Sequence, residues 1–209
     1  VDAAPPVAPP KEVTAEMREH QLEGLSWLVA MHDRGCGAIL GDEMGLGKTL
    51  QTISFLAHLK FAKGLPGPSL VVCPLSVLAS WMVECRRFCP ALRVVKLHSA
   101  DAGERERLKR SLKDPRGYDL VVTTYEMAKA PAMASCLAGA TWWRCVVLDE
   151  GHLIKNELSE ISRAVRRMHC ATALLLTGTP LQNDLHELWS LLNFLHPSWF
   201  PRAERFDAA

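Results

Sequence analysis

Short apolar runs alternate with longer amphipathic stretches along most of the chain. Six runs have the length of buried strands: Ala38–Leu40, Leu70–Cys73, Arg93–Leu97, Asp119–Thr123, Cys145–Leu148 and Ala173–Thr177. Helical segments of roughly a dozen residues separate most of them. Short buried strands that alternate with helices predict an α/β fold, in which a central, mainly parallel sheet carries helices on both faces.

The chain before the first strand divides near residue 13. Residues 1–13 are rich in proline and alanine and have no apolar period, so we expect a disordered tail. From Thr14 the apolar positions recur at helical intervals, and Gly35 ends that segment. The charged segment Ala102–Lys113 also has a helical pattern, which favours a solvated surface helix, with a DNA-facing role as the alternative.

Composition limits the function without deciding it. The chain has 209 residues, enough for one domain with a real core. Its net charge of +1 neither indicates nor excludes a nucleic-acid partner, because a local basic patch can bind phosphates. No apolar stretch reaches the ~18 residues of a membrane helix. The seven cysteines lack the spacing of a zinc site, and reduced buried thiols suit a cytosolic or nuclear compartment.

A glycine-containing turn lies between a strand and a helix in "ILGDEMGLGKTLQ", residues 39–51. Backbone N–H groups of such a turn, together with the following helix N-terminus, converge on phosphate oxygens. Gly47, Lys48 and Thr49 match the end of the pattern G-x-x-x-x-G-K-[ST], whereas Asp42 stands at its first glycine. Lys48 is expected to reach the phosphates of ATP, and Thr49 to bind Mg²⁺. An ordinary turn is the alternative.

Two carboxylates end an apolar strand in "RCVVLDEGH", residues 144–152. The carboxyl ends of parallel strands lie at the same sheet edge as the phosphate loop. Asp149 could therefore hold Mg²⁺ through water, and Glu150 could orient or deprotonate the attacking water. A solvated corner is the alternative, but the unbroken apolar run and His152 argue against it. The predicted catalytic residues are Lys48, Asp149 and Glu150.

Several blocks resemble the signature motifs of the Swi/Snf-type ATPases, helicase-like motors of superfamily two that translocate on double-stranded DNA and remodel chromatin. They include "DEMGLGKTLQT", "DEGH" and "LLLTGTPLQN", and the resemblance covers about residues 16–201. In that family Asp42 is the expected residue at the head of the loop. "LIKNE" and "NDLHELWSLLNFLHP" resemble the imitation-switch (ISWI) group, although Gly151 stands where that group usually has alanine. The resemblance implies a three-layer, RecA-like P-loop NTPase lobe over residues 14–200.

The resemblance also implies roles for individual residues. "MREHQLEGLSWL" resembles the glutamine motif, in which Gln21 recognises the adenine edge, with His20 where tyrosine is frequent. The nucleotide-binding set is then Gln21, Asp42, Glu43, Met44, Gly45, Leu46, Gly47, Lys48 and Thr49. The residues implied to couple hydrolysis to movement are His152, Thr177, Gly178 and Thr179.

Contacts with the DNA backbone are implied for two further blocks, "VVCPLSVLASWMVE" and "VVTTYE". The implied residues are Pro74, Ser76, Thr123, Thr124 and Tyr125, and such contacts position a duplex without reading its sequence. Helix capping is the alternative for Ser76. Trp81 is interpreted first as a core residue and second as a DNA contact.

Residues 201–209 resemble the start of the family's inter-lobe insertion, and no segment resembles its second RecA-like lobe. That lobe supplies arginines, and an arginine of this kind contributes ~10³ or more to rate in related NTPases. We therefore expect a truncated, nuclear first lobe that binds ATP, Mg²⁺ and DNA weakly with little turnover. Its parent would act on nucleosomes and their histones, with no membrane partner. The alternatives are a non-catalytic module that binds DNA or a partner, and a strand-separating helicase.

Overall fold

A computed structural model of the chain describes residues 5–43, 45–139, 142–178 and 185–207. Within these residues, all the strands form one sheet with the order β1-β6-β5-β2-β4-β3, and every pairing is parallel. The strands are β1 (Ala38–Leu40), β2 (Ser69–Cys73), β3 (Val94–Leu97), β4 (Leu120–Thr124), β5 (Trp143–Asp149) and β6 (Cys170–Leu176). Each strand predicted from an apolar run is confirmed, with ends that move by three residues or fewer.

Helices lie in every connection between successive strands, and further helices precede β1 and follow β6. They are α1 (Glu19–Asp33), α2 (Lys48–Ala57), α3 (Leu75–Phe88), α4 (Ala102–Ser111), α5 (Tyr125–Lys129), α6 (Pro131–Gly139), α7 (Glu160–Val165), α8 (Leu185–Leu195) and α9 (Glu204–Asp207). A π-helical turn, His58–Ala62, continues α2, and a 3₁₀ turn, Gly151–Ile154, follows β5. Among the described residues, no helix is both long and apolar enough to cross a membrane.

Both faces of the sheet are covered, which confirms the three-layer α/β class. Successive residues of a strand point to opposite faces, and β2 shows this directly. Val71 and Cys73 pack in a core cluster with residues of α1, α2 and α3. Leu70 and Val72 pack in a second cluster with residues of α5, α6, α7 and α8. The strands are therefore buried on both sides, as their continuous apolar runs require.

The first helix begins later than its apolar pattern indicates. α1 starts at Glu19 rather than near Thr14. The backbone N–H of Thr14 donates to the carbonyl of Phe88 at 2.8 Å, and its hydroxyl donates to the carbonyl of Arg87 at 2.7 Å. These bonds tether the segment to the end of α3, and Arg18, the N-cap residue of α1, still has an extended backbone (φ −72°, ψ 161°). Met17 is buried by this packing and not by a helix face.

The proline-rich segment before α1 makes tertiary contacts where it is described. The N–H of Val7 donates to the Ser26 hydroxyl of α1 at 2.9 Å, and Val13 is buried. The expected disorder of residues 1–13 is therefore wrong for residues 7–13, because apolar side chains within the segment pack against the core. The surface helix is confirmed as α4, which has no buried residue and is capped by Asp101.

Candidate nucleotide site

The phosphate loop joins β1 to α2 and needs glycine at two positions. Gly45 and Gly47 have φ of +87° and +86°, in the left-handed region that favours glycine. A Cβ atom at Gly47 would also lie 2.3 Å from Nε2 of Gln21, whereas a Cβ at Gly45 would meet open space. The loop leads into the N-terminus of α2, whose unpaired N–H groups and dipole favour an anion. Met44 lies outside the described residues.

Lys48 holds the loop closed through backbone carbonyls. Its Nζ donates to the carbonyl of Asp42 at 2.7 Å and to the carbonyl of Glu43 at 3.0 Å. The carboxylate of Asp42 accepts a bond from Nε2 of the buried Gln51 at 3.0 Å. Asp42 therefore fixes the head of the loop to α2, a contact that a glycine could not make. Sequence reasoning missed Gln51, although it lies only two residues after the P-loop threonine.

Gln21 lies against the phosphate loop. Its Oε1 accepts from the N–H of Arg18 at 2.9 Å, and its Nε2 donates to the carbonyl of Leu46 at 3.2 Å. A ring nitrogen of His20 lies 3.2 Å from the same carbonyl. One N–H donor and one carbonyl lone pair of the Gln21 amide are thus used by protein groups, and one of each remains for adenine. Adenine recognition by Gln21 stays a prediction.

The acidic strand end reaches the edge of the sheet that carries the phosphate loop. In the register of the sheet, Leu176 of β6 pairs with Leu40 of β1 on one side and with Asp149 of β5 on the other. Asp149 thus lies level with the last residue before the loop, at a spacing of two strands, or about 10 Å. The parallel sheet brings together two segments that are a hundred residues apart in the chain.

Asp149 is half-buried and tightly held. Its Oδ2 accepts from Nε1 of Trp81 at 2.7 Å, and its Oδ1 accepts from the N–H of Glu150 at 3.0 Å. Burial raises the pKa of the Asp149 carboxyl, and the bond from Trp81 and the charge of Lys48 act against this rise. A bound cation would favour the anionic form in the same way.

Glu150 has an unusual backbone conformation. Its φ of +54° makes it the single non-glycine residue with positive φ in the described part of the chain. Such a conformation costs about 1–2 kcal/mol and persists only where its surroundings enforce it. Its carboxylate Oε2 lies 3.3 Å from Nδ1 of His152, close enough for an ion pair with a charged imidazole but not aligned for a hydrogen bond. This left-handed residue follows the last residue of β5, Asp149.

Thr49 and Glu84 add oxygen atoms beside this acidic end. The Thr49 hydroxyl lies near the Glu84 carboxylate of α3. Burial raises the pKa of Glu84, while the neighbouring Thr49 hydroxyl lowers it. Sequence reasoning missed Glu84, and it treated Trp81 as a core residue or a DNA contact. The available signal was their spacing in "SWMVE", because residues three apart share one helix face.

These oxygen donors suit Mg²⁺. Hydroxyl and carboxylate oxygens are the ligands that this hard cation prefers, and it usually takes one or two carboxylates together with substrate phosphates. No group of three or more His, Cys, Asp or Glu side chains in the described residues could hold a metal alone. Thr49 and Asp149 would therefore hold Mg²⁺ together with nucleotide phosphates.

Comparison with known proteins decides the family. The model of the SNF2-related domain matches residues 20–209. The chain belongs to the SNF2-related domain family. A solved structure of this type, the Sulfolobus solfataricus SWI2/SNF2 ATPase core in complex with dsDNA, superposes with a TM-score of 0.84 at 35% identity. The match covers 97% of this chain and 40% of that chain, and it confirms the RecA-like lobe.

Curated relatives of this SNF2-related chain are much longer. The ISWI chromatin-remodeling complex ATPase CHR11 of Arabidopsis thaliana is 48% identical over 198 residues, which are 95% of this chain and 18% of that protein. The human SWI/SNF-related matrix-associated actin-dependent regulator of chromatin subfamily A member 1 is 46% identical over 192 residues, with 92% and 18% covered. The predicted resemblance to Swi/Snf-type remodellers is confirmed.

Gly151 departs from the alanine usual in the ISWI group. A Cβ atom at Gly151 would lie 3.0 Å from Cβ of Leu175. That separation is shorter than ordinary carbon–carbon contact, so Leu175 would have to shift by a few tenths of an ångström to admit alanine. The SNF2-related lobe of this chain is packed around the glycine.

The DNA contacts implied for Thr123, Thr124 and Tyr125 are contradicted by their burial, since these side chains are 0%, 1% and 4% exposed. The Thr123 hydroxyl donates to the carbonyl of Leu97 at 2.8 Å, and the Thr124 hydroxyl caps α5. The Tyr125 hydroxyl donates to the carbonyl of Asp149 at 2.7 Å. The end of β4 turns inward, and internal acceptors or donors engage each hydroxyl.

Pro74 and Ser76 lie at the start of α3. Pro74 occupies the N-cap position, and no side chain caps this helix. Ser76 is exposed one position inside the first helical residue, so the capping alternative is wrong. An exposed hydroxyl at a helix N-terminus is suited to a phosphate oxygen. A DNA contact by Pro74 and Ser76 stays a prediction.

The segment implied to couple hydrolysis to movement begins beside the phosphate loop. The N–H of Thr177 donates to the carbonyl of Leu40 at 3.2 Å, and Thr177 is buried. Gly178 follows it, and Thr179 lies outside the described residues. The structure therefore brings the start of this segment to the nucleotide edge. A bond from His152 into the turn stays a prediction, because the described neighbour of its Nδ1 is Glu150.

Proposed function

We propose that this lobe binds ATP·Mg²⁺ and serves a nuclear ATPase that translocates on double-stranded DNA and remodels nucleosomes. Lys48 and the loop amides would bind the phosphates, Thr49 and Asp149 would hold Mg²⁺, and Glu150 would orient the attacking water. When bound, Mg²⁺ supplies charge neutralisation at the phosphates. Because the chain spans 18% of the curated relatives, hydrolysis and movement are proposed for a protein that also has a second lobe.

One observation carries this proposal. Leu40 and Asp149 flank the same residue, Leu176, at one edge of the sheet. The phosphate loop leaves Leu40 directly, so a triphosphate bound to it would extend toward the acidic end of β5. Trp81 and Glu84 of α3 add a donor and a carboxylate at that end. A solvated corner would not be expected to bury and hydrogen-bond Asp149 in this way.

The chromatin part of the proposal is supported by the family and by one exposed surface. The relatives named above include chromatin-remodelling ATPases, and the matching solved structure holds dsDNA. The buried hydroxyls of β4 leave the N-terminus of α3, with Pro74 and Ser76, as the proposed contact with the DNA backbone. Such contacts would be independent of base sequence. Histones would bind through the remainder of the protein.

The proposal is tested by titrating this chain with ATP in the presence of Mg²⁺. Lys48→Ala removes an ammonium that would bond to phosphate, and a hydrogen bond to a charged group is worth about 1.5–3 kcal/mol. We therefore expect the dissociation constant to rise by roughly 10-fold to 100-fold. Lys96→Ala is the matched control, because Lys96 is exposed on β3 at the far edge of the sheet.

Each outcome of the titration has one meaning. Loss of affinity in Lys48→Ala but not in Lys96→Ala supports the phosphate site. Equal affinities for both variants and the unmodified chain would remove Lys48 from the site. An unmodified chain that ignores ATP even with Mg²⁺ would overturn the proposal in favour of a binding module without catalysis.

A further inference from the structure

Asp149 is bound by side chains from two other elements. Nε1 of Trp81, on α3, donates to its carboxylate Oδ2 at 2.7 Å. The hydroxyl of Tyr125, at the start of α5, donates to its backbone carbonyl at 2.7 Å. We call Trp81 and Tyr125 the Asp149 clamp. Sixty-eight residues separate Trp81 from Asp149, and twenty-four separate Tyr125 from it, so only the tertiary fold creates the clamp.

Burial makes both bonds hard to exchange for water. Trp81 is 2% exposed and Tyr125 is 4% exposed. A buried indole N–H or phenol O–H needs a partner, since leaving one unsatisfied is costly. Trp81 donates to the carboxylate of Asp149, and Tyr125 donates to its backbone carbonyl. Two buried donors therefore bind the same residue.

The clamp leaves the Asp149 carboxylate able to bind a cation. Each carboxylate oxygen has two lone pairs. Oδ2 uses one for Trp81, and Oδ1 uses one for the N–H of Glu150. One lone pair remains on each oxygen, and the two bonds fix the plane in which these lone pairs lie. Partners of this kind set ligand orientation in metal sites.

The clamp also acts on the strained residue that follows. Glu150 has φ of +54° and ψ of +52°, which requires support from the surrounding structure. The Tyr125 bond holds the carbonyl immediately before Glu150, and the Asp149 carboxylate accepts from the Glu150 N–H. Both polar atoms of the Asp149–Glu150 peptide group, which precedes the strained residue, are therefore anchored.

We propose that Trp81 and Tyr125 are positioning residues, which hold the Asp149 carboxylate in the orientation that binds the Mg²⁺ of a bound nucleotide. The inference rests on the proposed nucleotide site. In this role α3 and the start of α5 each hold the end of β5, where Asp149 would bind the metal. Neither residue touches the nucleotide in this role.

The test compares four single variants of this chain. Trp81→Phe and Tyr125→Phe remove one donor each and keep an aromatic ring. Trp143→Phe is a matched control, since Trp143 is 0% exposed and its Nε1 donates to the Leu137 carbonyl at 2.9 Å. Tyr118→Phe is the other, since Tyr118 is 2% exposed and its hydroxyl donates to the carbonyl of Leu112 at 3.0 Å.

The readout is the gain in ATP affinity that Mg²⁺ confers, measured as the ratio of dissociation constants in EDTA and in Mg²⁺. Loss of a residue that orients a metal ligand typically costs about 10-fold to 100-fold in metal affinity. We expect a loss of that size in Trp81→Phe, a loss in the same direction in Tyr125→Phe, and unchanged affinity in EDTA. Both controls should keep the full gain, whatever stability they lose.

A second measurement covers the case in which a clamp variant fails to fold. In the unmodified chain with bound ATP, addition of Mg²⁺ should shift the ¹⁵N–¹H resonance of the Trp81 indole and leave that of Trp143 in place. An unmoved Trp81 resonance, or a Mg²⁺ gain in Trp81→Phe equal to that in Trp143→Phe, would overturn the clamp. Failure of the unmodified chain to bind ATP would instead overturn the proposed function and the clamp with it.

Discussion

Asp119 offers a sharp test of what stabilises the lobe. It lies just before β4, at the opposite edge of the sheet from the nucleotide site, and its side chain is 5% exposed. Oδ1 is 2.7 Å from Nζ of Lys60 and 2.8 Å from Nη2 of Arg93. Oδ2 accepts from the backbone N–H and from Nε of Arg93, both at 3.0 Å. The perturbation is Asp119→Asn, which removes the charge at nearly constant volume.

The expected loss of stability depends on the burial of the Asp119 carboxylate and on the partial exposure of its two cationic partners. Breaking a buried ion pair costs about 3–5 kcal/mol when the remaining charge stays buried. Here the Lys60 and Arg93 side chains are 39% and 53% exposed, so water can hydrate them after the change. We therefore expect a loss of about 2 kcal/mol in the free energy of unfolding, since the unpaired cations are better hydrated than the charge that remains in a fully buried pair. For a chain of this size, that lowers the melting temperature by about 4–8 °C.

The pH dependence of this loss has a definite sign. Burial raises the pKa of Asp119, but the hydrogen bonds from Arg93 and Lys60 outweigh it and hold the pKa well below its ordinary value. A depressed folded-state pKa adds stability above the unfolded-state pKa of about 3.9, and this stability is lost as pH falls through the folded-state pKa. The stability gap between the unmodified chain and Asp119→Asn should therefore persist from pH 7 to pH 5 and narrow only below about pH 4.

Urea unfolding monitored by circular dichroism at several pH values measures the gap. Asp114→Asn is the matched control, because Asp114 pairs with Arg116 on the surface and is 58% exposed. We expect that control to change stability little, since exposed ion pairs contribute little. An unchanged midpoint for Asp119→Asn at pH 7, or a gap that closes between pH 7 and pH 5, would refute the reasoning.

Two further predictions concern the nucleotide site. Gly47→Ala forces a residue with a Cβ atom into the left-handed region and places that Cβ 2.3 Å from Nε2 of Gln21, so we expect ATP affinity to fall by about 10-fold or more. Gly117→Ala is the control, and it should bind ATP normally because a Cβ at Gly117 meets open space. Calorimetric titration of both variants decides this, and equal affinities would contradict it. In a protein with both lobes, Glu150→Gln should bind ATP as tightly as the unmodified protein but stall hydrolysis, because the amide cannot accept a proton from water. Turnover that survives in a phosphate-release assay would assign water activation to another residue.

Most of the correct predictions from the sequence depended on local patterns. The apolar runs of the six strands are local features of the sequence, so their approximate positions needed no tertiary information. The phosphate loop was recognisable because its glycines, lysine and threonine all act within a few residues. The position of Asp149 followed from parallel pairing, which brings strand ends to one edge.

The errors came from contacts that no local pattern contains. Thr14 bonds to the end of α3, more than seventy residues away, and α1 begins only at Glu19. DNA contacts were implied for Thr123 and Tyr125, but Leu97 and Asp149 accept the hydrogen bonds of their hydroxyls inside the fold. A threonine or tyrosine at a strand end carries the same hydroxyl whichever way it points. Its direction depends on which strands and helices lie beside it.

By itself, the sequence determined the strands, the phosphate loop, the acidic strand end and the family, because each is encoded by residues close together in the chain. Only the tertiary structure decided the strand order, the anchoring of Asp42 by Gln51, and the binding of Asp149 by Trp81 and Tyr125. The physical reason is that hydrogen-bond partners of buried polar groups are chosen by packing. Periodicity shows that a side chain is buried, but it does not show what it meets there.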